Sequence, residues 1–463
     1  MPQLSPTDQA FFLLETDQRP MSIGALMVLA PPRGAGGRFA DQLVAAMLSR
    51  PVGPPFSFRL KPGTIAGLLA VEEDPHMDPS TQVRRHELAR GSDLPALFER
   101  VCDIHVRRLP HDAPIWELHV FSGLPRGRVA LYFKTHHGLI DGIGFLRILT
   151  SMVATRPTRK PRAIWEGMRG LPAPDVPPTR DEGAGLTRLV GDLRRTAADT
   201  ARLVWRQGLR GLGLGGGLAI PFLTPQVLKA APSPHRVMAH CALPLARVRR
   251  IAKRNGAKVN DVLLTVLDVA MNRYLEERGL VPDRPLVADM PVALHDDGGT
   301  GNRITILQVP MGAPRTRPAE RLRRILLETQ AVKEEVRALS GSSLVLYSIV
   351  QHTLASTIES LRLGELPMLA NAVISNPAGL RKRVYFNGAA VELALPVSVV
   401  AHHQVLNITI TTYVDQLHVT FIALREAIPD LPRLAKYTAS AVATLEADLA
   451  KTRARPRAAA RKR

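Results

Sequence analysis

The chain has 463 residues, of which 45% are hydrophobic and 22% are charged, a balance that indicates a globular protein and excludes a wholly disordered one. Its formal net charge of +20 at pH 7 favours anionic partners such as acidic lipid or nucleic acid. Only two cysteines are present, Cys102 and Cys241, so a disulfide framework and a cysteine-based zinc site are excluded and a reducing compartment is expected. The length predicts two domains of roughly 150–220 residues.

The first predicted block, residues 1–155, mixes strands and helices. An apolar run over 23–29 ends at two prolines and predicts a buried strand, and the spacing of apolar residues over 94–107 predicts a helix. Residues 129–135 alternate in the period of a strand. From Gly142 the period becomes helical, so a strand-to-helix turn is expected between Thr135 and Gly142.

Residues 156–220 differ in composition from the flanking blocks. Proline, glycine and charge predict a linker over the first part. A basic amphipathic helix is predicted over 186–204, with apolar residues on one face and arginines largely off it. Such a helix packs on a domain or lies on a membrane surface, and both interpretations stay open.

The second predicted block, residues 221–450, repeats the mixture. Asn260 is expected to cap a long helix that ends near Gly279. Further helices are predicted around 322–332 and 434–449, and residues 406–411 and 417–421 alternate around a short turn, which predicts a hairpin. Because strands and helices recur in both halves, the expected fold class is α/β or α+β with two lobes of similar size.

The last segment, residues 451–463, holds seven Lys or Arg and no acidic residue, which predicts a disordered tail. Three roles stay open: a solubilising end, attraction to anionic lipid, or attraction to nucleic acid. No nucleic-acid-binding module is visible, so nucleic acid is not expected as a partner. No signal peptide or membrane-spanning helix is visible either, which predicts a cytoplasmic protein that is soluble or peripheral to a membrane.

The chemistry is expected in the segment His136-His137-Gly138-Leu139-Ile140-Asp141-Gly142. His137 follows the predicted strand and shares a face with its apolar residues, while His136 points the other way. A neutral imidazole can take a proton from an alcohol as the alcohol oxygen attacks a thioester carbonyl. Asp141 is placed to fix the turn, and Gly142 permits a close backbone approach.

Two other interpretations of the paired histidines are a structural pair and a pair of metal ligands. Adjacent residues on a strand diverge, and the sequence holds no HExxH motif, so no metal site is expected. The sequence also has no GxSxG segment, and neither cysteine lies in a histidine-rich motif. No covalent enzyme intermediate is therefore expected.

The HHxxxDG pattern resembles the signature of the CoA-dependent acyltransferase superfamily, which includes chloramphenicol acetyltransferase and peptide-synthetase condensation domains. The rest of the chain resembles the bacterial wax ester synthase/diacylglycerol acyltransferase family over about residues 4–429. The matching segments are the opening Leu4-Ser5-Pro6-Thr7-Asp8 with Phe12 and Glu15, then Pro114-Ile115-Trp116-Glu117, Asn260-Asp261, Ser375-Asn376-Pro377 and Leu406-Asn407-Ile408.

The resemblance implies a chloramphenicol acetyltransferase-like fold with an active-site tunnel between the lobes. It implies that His137 is the general base, that His136 supports it, and that Asp141 orients the site rather than transferring protons. The substrate-binding residues that it implies are Gly142, Trp116, Asn260, Asp261, Ser375 and Asn376.

The implied reaction transfers a fatty acyl group from acyl-CoA, a co-substrate and not a cofactor, to diacylglycerol or a long-chain fatty alcohol. The implied location is peripheral, on the inner membrane or on lipid bodies. Two alternatives stay open. One is a condensation-type acyltransferase that takes its acyl group from a carrier protein, and the other is a non-catalytic protein that binds a lipid surface.

Overall fold

The computed structural model of the chain describes residues 4, 6–61, 70–111, 113–158, 160–168, 199, 202–203, 205–207, 217–220, 223–294, 303–339, 341–360, 368–377, 379–400 and 402–460. The predicted amphipathic helix over 186–204 lies mostly outside these residues. Those described between 199 and 207 are helical. Within the described ranges, no helix is both long enough and apolar enough to cross a membrane.

The strands and helices recur in both halves, as the fold class predicted. The strands are β1 (Ser22–Ala30), β2 (Phe58–Leu60), β3 (Val71–Glu73), β4 (Val83–Glu87), β5 (Trp116–Ser122), β6 (Val129–His136), β7 (Arg236–Pro244), β8 (Val287–Leu294), β9 (Arg303–Pro310), β10 (Ala372–Ser375), β11 (Tyr385–Phe386), β12 (Ala389–Val397), β13 (Leu406–Tyr413) and β14 (Gln416–Leu424). The helices are α1 (Pro6–Leu13), α2 (Phe39–Leu48), α3 (Leu94–His105), α4 (Gly142–Met152), α5 (Leu245–Arg254), α6 (Val259–Glu276), α7 (Pro318–Arg337), α8 (Gly341–Ser360) and α9 (Leu431–Ala460).

The first sheet has six strands in the order β11–β12–β1–β6–β5–β4. All eight residues of β6 are buried, because both faces of the sheet are covered. Leu131 and Phe133 pack towards α2 and α4, whereas Tyr132 packs towards α3. This alternation is the period-2 pattern that the sequence showed, and it places the carboxyl end of β6 at the edge where the histidine pair begins.

The second sheet has six strands in the order β7–β14–β13–β10–β8–β9. The predicted hairpin is β13 and β14, which pair antiparallel from Leu406 with Ala423 to Tyr413 with Gln416. Helices α5, α6, α7 and α9 bury their apolar faces in the same core cluster as this sheet. That cluster also takes in Tyr132 and residues of α3, so the two sheets share one core.

The division of the chain into an N-terminal and a C-terminal lobe needs a correction. Strand β12 pairs antiparallel with β1, so residues 385–397 belong to the first sheet, although the sequence analysis placed them in the second lobe. The physical reason is that β1 has two hydrogen-bonding edges, and β6 occupies only one of them. The other edge is filled by a strand that is distant in sequence.

Two local expectations also differ from the structure. The long helix α6 begins at Val259 with Lys258 as its N-cap, not at Asn260, because the carboxylate of Asp261 accepts the backbone N–H of Lys258 at 2.8 Å. The last helix continues to Ala460, whereas a disordered tail was expected from residue 451. Alanine, lysine and arginine favour helix, and extending an existing helix avoids the cost of nucleation.

Candidate active site

The turn between β6 and α4 presents the histidine pair. The backbone N–H of His137 donates to the carbonyl of Met21 at 2.8 Å, and the N–H of Leu139 donates to the carbonyl of His136 at 3.0 Å. Met21 directly precedes β1, whose Ser22 pairs with His136. The turn is therefore fixed by the strand that lies beside it in the sheet.

The imidazole of His137 is half-buried and stacks on the ring of Phe11, with their centroids 4.1 Å apart. Its Nδ1 is buried without a hydrogen-bond partner of standard geometry among the described residues, which leaves Nε2 as the nitrogen open to a substrate. Burial lowers the pKa of His137 below the ordinary value of 6.5, although its own carbonyl and the carboxylates of Asp141 and Asp8 favour the charged form. The ring is therefore neutral at pH 7, as a general base must be.

The ring of His136 is fully buried and points away from His137, onto the ring of Phe12 at a centroid distance of 3.9 Å. Its Nδ1 accepts the backbone N–H of Gly138 at 3.0 Å, so in the neutral ring the proton resides on Nε2. Burial lowers the pKa of His136 to about 3. His136 is therefore a neutral part of the turn with no access to substrate.

Helix α1 packs directly on the turn, and a glycine permits that approach. A Cβ atom on Gly138 would lie 2.6 Å from the carbonyl oxygen of Asp8 and 2.6 Å from the ring of Phe12. No role was expected for Phe11 or Gly138 from the sequence. Two adjacent phenylalanines in a short helix predict only burial, and nothing local indicates which rings they contact.

Asp141 is the N-cap of α4. Its Oδ1 accepts the backbone N–H of Gly144 at 2.6 Å, and a Cβ on Gly144 would lie 2.9 Å from that oxygen. Asp141 thus fixes the start of the helix, in keeping with the orienting role that the resemblance implied. Among the described residues, a Cβ on Gly142 would meet no atom within 4 Å, so the space in front of Gly142 is open with respect to them.

Trp116 does not face that open space. It has no exposed surface, its Nε1 donates to the carbonyl of Phe56 at 2.9 Å, and its ring packs against Phe133 and Trp165. The substrate contact expected for Trp116 is replaced by a packing role in the core of the first sheet. Its burial follows from its place at the start of a central strand.

The Asn-Asp and Ser-Asn segments come together, although 116 residues separate them in the chain. The Nδ2 of Asn376 donates to Oδ1 of Asn260 at 2.7 Å on the surface. Asp261 is buried instead, and besides capping α6 it accepts the hydroxyl of Thr329 at 3.1 Å. These contacts give Asp261 a structural role, whereas substrate binding was expected.

A chain of hydroxyls connects Ser375 to the first sheet. The hydroxyl of Ser375 donates to Oγ1 of Thr409 at 3.1 Å, and Ser398 lies 2.8 Å from the same oxygen. Ser398 follows Val397, which pairs with Gly24 of β1. Gly24 lies two residues after Ser22, the residue of β1 that pairs with His136. Ser375 is therefore linked through Thr409 to the residue that follows β12, a strand of the first sheet.

One cluster near the turn could hold a metal ion. Glu15, His111 and His136 bring three potential ligand atoms within 4.8 Å of one another. Both oxygens of Glu15 already have donors, however: the backbone N–H of Met21 at 2.9 Å and Nε of Arg108 at 3.0 Å. The guanidinium supplies the positive charge that a buried carboxylate requires, so the residues present fit a hydrogen-bonded network better than a cation site.

The two-sheet fold with an HHxxxDG turn at the end of β6 defines a class of protein by its fold, which is chloramphenicol acetyltransferase-like. The first condensation domain of the calcium-dependent antibiotic synthetase has this fold, with a TM-score of 0.58 at 18% identity over 96% of this chain and 97% of that one. At that identity the likeness concerns the fold alone.

Closer similarity identifies the family. Residues 4–263 match the wax ester synthase/diacylglycerol acyltransferase catalytic domain, and residues 300–446 match the C-terminal domain of the same family. The probable diacylglycerol O-acyltransferase Tgs4 of Mycobacterium tuberculosis is 32% identical over 98% of both chains. The wax ester synthase/diacylglycerol acyltransferase of Marinobacter aquaeolei superposes with a TM-score of 0.73 at 27% identity, over 97% of this chain and 99% of that one. The chain belongs to the wax ester synthase/diacylglycerol acyltransferase family and is an acyltransferase.

Proposed function

We propose that the protein transfers a fatty acyl group from acyl-CoA to the free hydroxyl of diacylglycerol, and also to long-chain alcohols, with His137 as the general base. The observation that carries the proposal is the His137 ring, which is partly exposed, stacked on Phe11 at a strand end, and buried at Nδ1 so that Nε2 is the nitrogen open to substrate. Family membership supports the acyl transfer, and the relatives named above supply both acceptor types in their names.

The chemistry requires one base and two bound substrates. Nε2 of His137 takes the hydroxyl proton as the alcohol oxygen attacks the thioester carbonyl, and a tetrahedral oxyanion forms. When the intermediate collapses, the carbon–sulfur bond breaks and the proton passes from His137 to the departing CoA thiolate. The products are an ester and free CoA, and no acyl-enzyme is needed because none of the described serines or cysteines is hydrogen-bonded to His137.

The fixed turn supports this role for His137. Phe11 stacks on the ring, Met21 holds the backbone, and Asp141 holds the following helix. A base held in one orientation needs little reorganisation when the substrates arrive. The tunnel between the lobes and the substrate contacts of Gly142, Asn260, Ser375 and Asn376 are part of the proposal. The free space around Gly142 supports the contact at that residue.

We also propose that the protein works at a membrane or lipid-body surface, because its substrates are lipids. Large apolar side chains are exposed, among them Trp205 at 68% and, one helical turn apart on α8, Leu346 at 47% and Val350 at 54%. The net charge of +20 would add attraction to anionic headgroups. If truncation after Ala450 leaves liposome binding and its salt dependence unchanged, the basic tail is not the contact.

The test of the reaction is an assay of the purified protein with labelled acyl-CoA and diacylglycerol, with hexadecanol as a competing acceptor. We expect labelled triacylglycerol, and labelled wax ester when the alcohol is present. Activity with an acyl carrier protein thioester but not with acyl-CoA would establish the condensation-type alternative. Lipid binding with no ester formed from any donor would establish the non-catalytic one.

A further inference from the structure

A buried carboxylate lies behind the histidine pair, on Glu15, the second residue after α1. The side chain of Glu15 is fully buried, and its oxygens face Met21, His136, Arg108 and His111. We propose that Glu15 is a positioning residue: it holds His136 and Met21, and through them the turn that presents His137. The inference rests on the proposed role of His137 as the base.

Glu15 and His137 are both hydrogen-bonded to the backbone of Met21. Oε1 of Glu15 accepts the backbone N–H of Met21 at 2.9 Å, and the carbonyl of Met21 accepts the backbone N–H of His137 at 2.8 Å. Glu15 therefore binds the N–H of Met21, and His137 binds the carbonyl of the same residue. A shift of Glu15 would move Met21, and with it the carbonyl that accepts the backbone N–H of His137.

Glu15 also favours one tautomer of His136. Its Nδ1 accepts the N–H of Gly138 at 3.0 Å, so its proton must lie on Nε2, which is 3.6 Å from Oε1 of Glu15. A carboxylate facing Nε2 favours that tautomer electrostatically. With the proton on Nδ1, two N–H donors would face each other and the contact with Gly138 would be lost. Glu15 thus keeps His136 in the form that closes the turn.

The side chain of Glu15 carries a negative charge. Burial raises the pKa of this carboxyl, but the hydrogen bonds from His111, the backbone N–H of Met21 and Arg108 lower it, to about 2. The carboxylate is therefore ionised at neutral pH. Arg108 supplies the compensating charge from a half-exposed position, which keeps the buried anion from being an isolated charge.

The experiment uses the full-length enzyme and a matched pair of variants. Glu15→Gln keeps the size and one acceptor but removes the charge. Asp17 is the other acidic partner of Arg108: its Oδ1 lies 3.4 Å from Nη1 of Arg108, and its side chain is 85% exposed. Asp17→Asn removes this charge without touching His136. We expect Glu15→Gln to lower kcat about 10- to 100-fold with both KM values unchanged, since a misplacement of about 1 Å can cost about 100-fold. Asp17→Asn should behave as wild type.

A second readout does not depend on activity. NMR of the 15N-labelled histidine rings, with His136→Asn to assign the resonance, reports which nitrogen carries the proton. In the wild type we expect His136 neutral with its proton on Nε2, and in Glu15→Gln a mixture of tautomers. A wild-type His136 protonated on Nδ1 overturns the proposal even if Glu15→Gln does not fold.

The remaining outcomes separate this inference from the proposed function. Wild-type kcat and an unchanged tautomer in Glu15→Gln, with His137→Ala inactive, would overturn the role of Glu15 alone. A fully active His137→Ala would remove the base, and the positioning proposal with it, whatever the NMR shows. A stoichiometric transition metal in the purified wild type, lost together with activity in His111→Ala, would replace the network by a metal site.

Discussion

Arg19 and Glu359 form a buried ion pair, with 2.7 Å between Nε and Oε1, and their side chains are only 2% and 11% exposed. Arg19 lies before β1, and Glu359 lies near the end of α8. Arg19 also donates to the carbonyl of Gln404 at 2.8 Å, in the segment that leads into β13. The pair therefore joins the N-terminal segment behind the active site to the second sheet and its helices.

We predict that Arg19→Met lowers the free energy of unfolding by about 3–5 kcal/mol, because it leaves Glu359 buried without its partner. The double variant Arg19→Met/Glu359→Leu should lose less, since no charge stays unpaired. Urea unfolding measures both. The exposed pair Arg59–Glu72 is the control, and Arg59→Ala should cost at most about 1 kcal/mol. Equal losses at the two sites would contradict the prediction.

His137→Ala should lower turnover at least about 100-fold, the low end for loss of a general base. His136→Ala should do less, because the ring of His136 supports the turn and does not reach the substrate. Steady-state assays with circular dichroism to confirm folding provide the comparison. Equal losses in two folded proteins would mean that the base has been assigned to the wrong histidine.

The pH profile of kcat/KM should show a single acid limb with its midpoint below about 6.5, the ordinary pKa of histidine. The base acts when neutral, and burial lowers the pKa of His137, so activity persists at lower pH and disappears as the pH falls through the folded-state pKa. Asp141 raises that pKa. Asp141→Asn, which keeps a capping side chain, should therefore move the limb to still lower pH, and a move upwards would contradict the assignment.

Two glycines of the turn should respond differently to alanine. Gly138→Ala places a methyl group 2.6 Å from the backbone of Asp8, so α1 must shift, at a cost of about 1–3 kcal/mol in stability. The methyl group of Gly142→Ala would contact no described residue, so this change should leave the melting temperature unchanged while raising KM for a substrate that occupies the open space. Thermal melts and kinetics separate the two effects. An unchanged KM in Gly142→Ala would place the substrate elsewhere.

The Asn260–Asn376 pair and the buried Asp261 make a second contrast. Asn376→Ala breaks a surface hydrogen bond, which should cost at most about 1.5 kcal/mol, and we expect it to raise KM for one substrate. Asp261→Ala removes the cap of α6 and should cost about 0.5–2 kcal/mol, with KM unchanged. Unchanged kinetics in Asn376→Ala would restrict this pair to a structural role.

Local signals in the sequence were sufficient for the framework of the site. The alternation over 129–135 and the capping chemistry of Asp141 are properties of neighbouring residues, and they predicted the end of β6 and the start of α4. The opposite directions of His136 and His137 followed from strand geometry alone.

The features that sequence reasoning missed depend on contacts between distant segments. Phe11 and Glu15 meet the turn only because α1 folds back over it, and no periodicity encodes that approach. Trp116 was assigned to substrate because the family motif contains it, whereas its position in a central strand decides its burial. Asn260 was expected to cap a helix, but Lys258 is the N-cap and the Asp261 carboxylate accepts its N–H, which leaves Asn260 available to Asn376.

The pairing of β12 with β1 has a consequence for how the chain is made. Until residues 389–397 have been synthesised, β1 keeps one row of unpaired backbone groups, and such an edge invites association with other chains. A fragment that stops before residue 385 would carry the entire histidine turn and still be expected to aggregate. The active site can therefore mature only late in translation, and recombination that exchanges one half of the gene for another would have to preserve this pairing.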